Sequence, residues 1–101
     1  MEADLLLKAA SRLQAICDSW DRNKNDLHEA LLYNRKLWSI FLTAVTEPAH
    51  PLPASIRQNV ANLGIFVLSQ TVSASADPRP EQLTSLININ REIAAGLRSR
   101  A

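Results

Sequence analysis

Leu27-His28-Glu29-Ala30-Leu31-Leu32-Tyr33-Asn34-Arg35-Lys36-Leu37-Trp38-Ser39-Ile40-Phe41-Leu42-Thr43-Ala44-Val45-Thr46 is the stretch that decides the fold. Leu27, Ala30, Leu31, Asn34, Leu37, Trp38, Phe41 and Val45 recur at three- and four-residue intervals, so they share one broad face of an α-helix. Glu47-Pro48-Ala49-His50-Pro51-Leu52-Pro53 follows at once. Each proline lacks a backbone donor and biases the residue before it away from the α region, so the helix must stop near Thr46. Pro53 suits the first position of the next helix, where a missing N–H leaves nothing unpaired.

Three more segments carry the same period. Upstream, Leu6, Ala9, Ala10, Leu13, Cys17 and Trp20 mark a first helix that should end near Trp20. The polar stretch Asp21-Arg22-Asn23-Lys24-Asn25 makes a joint, with Asn23 or Asn25 as candidate cap of the helix already described. Downstream, a third helix runs from about Pro53 to about Ala76, with Ile56, Val60, Leu63 and Val67 on one face and Ile65, Leu68 and Val72 displaced around it. So wide an apolar surface implies contact with more than one neighbour. Its final part, Ser69 to Ala76, is small and weakly helical, which predicts fraying. After Asp77-Pro78-Arg79-Pro80, a fourth helix aligns Leu83, Leu86, Ile87, Asn90, Ala94 and Leu97, flanked by Ile89 and Ile93. Gly96 is a candidate C-terminal cap. Short joints favour antiparallel neighbours, so the expected fold is all-α: a small antiparallel helical bundle of about four helices, three long and one shorter.

The 101 residues amount to one domain, and 47% hydrophobic content with two glycines is enough to bury a core. Eleven basic and ten acidic residues are dispersed along the chain, so no strong field steers it towards nucleic acid. Arg98 and Arg100 form the only local excess. A single cysteine, Cys17, precludes an intramolecular disulfide and suits a reducing compartment. Lys8 interrupts Leu5-Leu6-Leu7, so the N-terminus reads as neither signal peptide nor membrane span, and a cytoplasmic protein is the default.

Chemistry finds little purchase. Asp21-Arg22-Asn23-Lys24-Asn25 imitates the start of a calcium loop, but Asp26 stands where glycine is needed and Leu32 where glutamate is needed. His28 and His50 have no Cys, His or paired carboxylate at ligand spacing, so no metal is expected. Cys17 falls on an apolar stripe, the setting of an inert buried thiol. Gly64 and Gly96 are too far apart for a phosphate loop, and Gly64 reads as a site of close helix packing. No acid, base and nucleophile converge, so neither catalytic residues nor a cofactor are expected, and the chain reads as a binder rather than an enzyme.

Asn34 and Asn90 interrupt two apolar stripes with amides that are costly to bury unless hydrogen-bonded. One reading is structural: an Asn-to-Asn or Asn-to-backbone bond that sets helix register. The other is functional: the second and fourth helices border a groove whose amides bond a partner, with Arg35 and Arg91 at its edges and Trp38 as anchor. Partner-binding candidates are therefore Asn34, Arg35, Trp38, Asn90 and Arg91.

Three motifs in order carry a resemblance: Leu32-Tyr33-Asn34-Arg35-Lys36-Leu37-Trp38, Pro48-Ala49-His50-Pro51-Leu52-Pro53 and Ile87-Asn88-Ile89-Asn90-Arg91-Glu92-Ile93-Ala94-Ala95-Gly96-Leu97. With their spacing, the chain resembles FlaF, the flagellar biosynthesis regulator of alphaproteobacteria. The resemblance implies a single cytoplasmic helical domain over 1–101 that promotes flagellin production and export, opposes the translational regulator FlbT and acts as a flagellin chaperone. Similar proteins usually carry a short segment before the first helix, so the chain is expected to lack it. The implied partner is flagellin, through terminal regions that are amphipathic helices before assembly. The alternative is a regulator of flagellin mRNA translation acting with FlbT; direct RNA contact is disfavoured by the balanced charge and by the want of a basic-aromatic strip. A third reading is an adaptor that dimerises through exposed parts of the third helix.

Overall fold

The computed structural model describes residues 2–47, 49 and 51–99. Four long helices account for most of the chain: α1 (Glu2–Asp18), α3 (Leu27–Thr46), α4 (Ala54–Ala76) and α5 (Pro80–Ser99). A short α2 (Trp20–Asn23) and a 3-10 turn (Lys24–Asp26) link the first two. The four long helices have 17, 20, 23 and 20 residues, so α1 is the shortest, by only three residues. No described residue lies in a strand.

Each helix runs antiparallel to its neighbours around the bundle. Asp26 and Glu29, at the start of α3, lie with Arg12, Ala15 and Ile16 near the end of α1. Arg57 in the first turn of α4 reaches the last turn of α3. Leu52, Ile56 and Val60 face Ile93 and Leu97 across the α4–α5 seam. The ring closes where Arg98 of α5 donates to Asp4 of α1 at 3.0 Å. The seams are unequal: α1 packs most extensively on α5, α3 on α4, and the α4–α5 seam is the sparsest of the four.

The proline joint acts as expected: α3 ends at Thr46, and Pro53 takes the N-cap position with ψ 149°, so α4 begins one residue later than the sequence implied. Arg57 completes the end of α3, donating from Nη1 to the carbonyl of Glu47 at 3.0 Å and to that of Val45 at 3.4 Å. Those carbonyls lie where the helix's own N–H donors have run out. The cap expected from Asn23 or Asn25 is not the one used. Asp26 occupies the N-cap position of α3, and its side chain makes no capping bond.

The core consists mainly of the periodic residues. Leu6, Leu13, Leu31, Trp38, Val45, Val67, Leu83 and Leu86 are fully or almost fully buried, each worth about 1.5–3 kcal/mol relative to exposure for the aliphatic side chains. Ala3 and Ile16 join α1's buried face, while Cys17 and Trp20 are half-buried. Trp38 meets Phe41 edge to face, with ring centroids 5.6 Å apart. Arg12 stacks over Tyr33, 5.1 Å from the ring centroid, joining α1 to α3 at the surface. Gly64 has the packing role read from the sequence: a Cβ there would collide with the branched end of Leu42 from α3. Gly96 does not cap α5, which continues to Ser99, and its φ is not positive.

Candidate functional site

Asn34, Trp38 and Asn90 come together, but inside the bundle. Asn90 projects from α5 because it continues the Leu83, Leu86, Ile87 stripe, and it meets α3 where Asn34 and Trp38 stand one turn apart. Trp38 donates its indole N–H to Oδ1 of Asn90 at 2.8 Å. Nδ2 of Asn90 in turn donates to Oδ1 of Asn34 at 2.7 Å and to the carbonyl of Leu6 on α1 at 3.3 Å. All three side chains are 0% exposed. One amide thus ties α5 to both α3 and α1, and this geometry matches the structural reading of the asparagines. Among the described residues, Nδ2 of Asn34 is the one amide donor of this cluster without an acceptor.

The expected groove between the second and fourth predicted helices is therefore filled by its own side chains. The amides that were to bond a partner bond each other instead. Arg35 and Arg91 are exposed, yet they do not rim a common surface. Arg35 lies seven residues before Leu42, which faces Gly64 of α4, so it stands on the α3–α4 edge. Arg91 lies seven residues before Arg98, which bonds Asp4 of α1, so it stands on the α1–α5 edge. Those two seams are diagonally opposite in the ring.

An accessible concave site lies elsewhere, along the α4–α5 seam. Leu52, Ile56 and Val60 form one wall, Ile93, Gly96 and Leu97 the other, with Glu92 at the rim and a volume of about 280 Å³. The walls are apolar because they continue the core-facing stripes of the two helices, along the sparsest seam of the bundle. Gly96 is exposed, and a Cβ added to it would meet no described heavy atom within 4 Å. Gly96 stands in the last turn of α5, where a glycine costs up to about 1 kcal/mol relative to alanine. No neighbour within the described chain requires one at this place. Reading the sequence for caps concealed this site, and the available signal was a helical glycine with an apolar stripe continuing past it.

A second apolar surface covers the outside of α4. Ile65 and Val72 are 66% and 62% exposed, and Ile40 of α3 is 70% exposed. Arg57 is the only charged residue in the 23-residue helix α4. Its wide apolar face does touch two neighbours, α3 and α5, but Ile65 and Val72 lie outside both contacts.

Other chemistry is sparse. His28 is exposed, and His50 lies outside the described residues. Among the described residues, no three His, Cys, Asp or Glu side chains gather to hold a metal ion, and no helix is long and apolar enough to cross a membrane.

The family model for flagellar protein FlaF matches residues 1–97, nearly the whole chain. No curated protein and no solved structure matches it.

Proposed function

The chain belongs to the FlaF family of flagellar proteins, and from that premise we propose that it binds flagellin in the cytoplasm as a non-enzymatic chaperone, promoting its synthesis and secretion. The observation that carries this reading is the α4–α5 groove, with apolar walls on two antiparallel helices and a glycine in its lining. An amphipathic helix lays its apolar face into such a groove, and a glycine lets a second backbone approach closely. Flagellin's terminal regions, amphipathic helices before assembly, have the required shape and polarity. An export chaperone must also release its client, which suits a short groove with moderate affinity and no covalent step.

Of the residues first chosen for partner contact, Arg35 and Arg91 are exposed cations on opposite edges of the bundle, outside the groove lining, so a helix docked in the groove reaches at most one of them. Asn34, Trp38 and Asn90 support the site from within by holding α5 in place. Calorimetric titration with monomeric flagellin at physiological salt tests the proposal, repeated with flagellin lacking its terminal helices. Saturable one-to-one binding that requires those helices is the expected result. No binding to the folded protein overturns it. Binding to flagellin mRNA that falls steeply with added salt would favour a translational regulator acting with FlbT.

A further inference from the structure

We propose that the outer face of α4 is an interface between two copies of this chain, packed antiparallel about a two-fold axis that passes between Leu68 and Ser69. Three observations lead there. First, α4 carries an apolar stripe outside its core-facing side: Ala61, Ile65, Leu68, Val72 and Ala76 fall at intervals of three and four, with Ile65 and Val72 about two-thirds exposed and Ala61 and Leu68 half-buried, while the exposed Phe66 stands apart from it. A surface helix apolar on its outer side as well as its inner side is normally covered.

Second, the stripe carries no charge. From Gln58 to Ala76 there is no ionisable side chain, and the polar residues on that side are Gln58, Asn62, Ser69 and Ser73, of which Gln58 and Asn62 bond each other at 3.1 Å. A two-fold axis brings each residue near its own equivalents, so a charged stripe would be opposed by its own sign. An uncharged one carries no such cost. A partner selected by charge complementarity would find nothing here to recognise.

Third, the stripe complements itself. An axis between Leu68 and Ser69 sets Ile65 against Val72 of the second copy, Ala61 against Ala76, and Leu68 against Ser69. Ile65 then enters a hole formed by Ser69, Val72, Ser73 and Ala76, where three small side chains leave room for one large one. The reverse contact follows by symmetry.

The dimer is weak by its dimensions. From Ala61 to Ala76 the strip is about 24 Å long and about 10 Å wide, less than a third of the roughly 800 Å² per partner of a standard stable interface. The face also stands apart from the α4–α5 groove, because Ala61 lines the α3 side of α4 with Val45 and Thr46. Association therefore leaves the groove open.

Sedimentation equilibrium of the chain alone, from ~10 µM to ~1 mM, should show the mass rising towards twice the monomer value. In a Cys17→Ala background, Ile65→Cys with Val72→Cys should oxidise to a covalent dimer, whereas Ile65→Cys alone should not, since position 65 faces 72 and not itself. Ile65→Asp should weaken association at least tenfold, and Ile65→Asp with Val72→Lys should restore it. A monomeric mass throughout the range, or equal cross-linking by the single and double cysteine variants, overturns the proposal. Both positions are exposed, so the variants keep the core intact. No flagellin enters these experiments, so their outcome is independent of the chaperone reading.

Discussion

Asn90 accepts the indole N–H of Trp38 at 2.8 Å across a sequence separation of 52 residues, and both side chains are fully buried. The same amide donates to Asn34 and to the Leu6 carbonyl, so three helices converge on one side chain. Unequal consequences follow for the two asparagines. Asn90→Leu leaves the Trp38 N–H without its acceptor and Asn34 without its donor, an expected loss of about 2–4 kcal/mol. Asn34→Leu also removes the unpartnered Nδ2, and Asn90 keeps the Leu6 carbonyl, so the expected loss is under about 1 kcal/mol. Urea titrations of both variants check the order; equal losses would mean that Asn90 is not the centre of the network.

Trp38→Phe deletes the indole N–H and retains an aromatic ring. It leaves Oδ1 of Asn90 buried without its donor and opens a small cavity beside Phe41. Thermal unfolding should register a loss of about 2–4 kcal/mol. Flagellin affinity measured well below the midpoint should stay within about threefold of wild type, because Trp38 does not reach the surface.

The two glycines should respond in opposite directions. Gly64→Ala drives a methyl group into Leu42 and should destabilise by about 1–3 kcal/mol. Gly96→Ala meets no described atom and should stabilise α5 by up to about 1 kcal/mol. If the α4–α5 groove receives flagellin's helix, Gly96→Ala should also weaken binding about tenfold. A more stable protein with unchanged affinity would remove the groove from the binding site.

Arg35 and Arg91 occupy opposite edges of the bundle, so one docked helix cannot touch both. Charge reversal at each position, Arg35→Glu and Arg91→Glu, should leave stability within about 0.5 kcal/mol. At most one of them should reduce flagellin affinity by about tenfold or more. A strong loss in both, measured by the same titration, would require a partner that wraps the molecule.

Arg57 closes the end of α3 from α4, donating to the carbonyls of Val45 and Glu47. Arg57→Met keeps most of the apolar stem but removes these donors, and should cost about 1–2 kcal/mol in chemical denaturation. No change would mean that water satisfies the end of α3 equally well.

Much of the architecture was legible in the chain. Helix periodicity is local, since residues three and four apart share a face whatever lies opposite. Proline acts on its own residue and the one before, so Pro48, Pro51, Pro53 and Pro80 marked the ends of α3 and the starts of α4 and α5 to within about one residue. The buried character of Asn34 and Asn90 was equally local, because each continues an apolar stripe.

What those amides bond could only be decided in three dimensions. Two buried amides on different helices satisfy each other or a partner depending on where the helices cross, and the crossing is set by the packing of α1, α3 and α5 together. Tertiary structure alone brought Asn90 within reach of Trp38, Asn34 and the Leu6 carbonyl, and so closed the expected groove. It also separated Arg35 from Arg91, placed Gly96 beside open space, and left Ile65 and Val72 uncovered. Sequence period determines which residues of a helix share a face; only the arrangement of the other helices determines whether that face is buried.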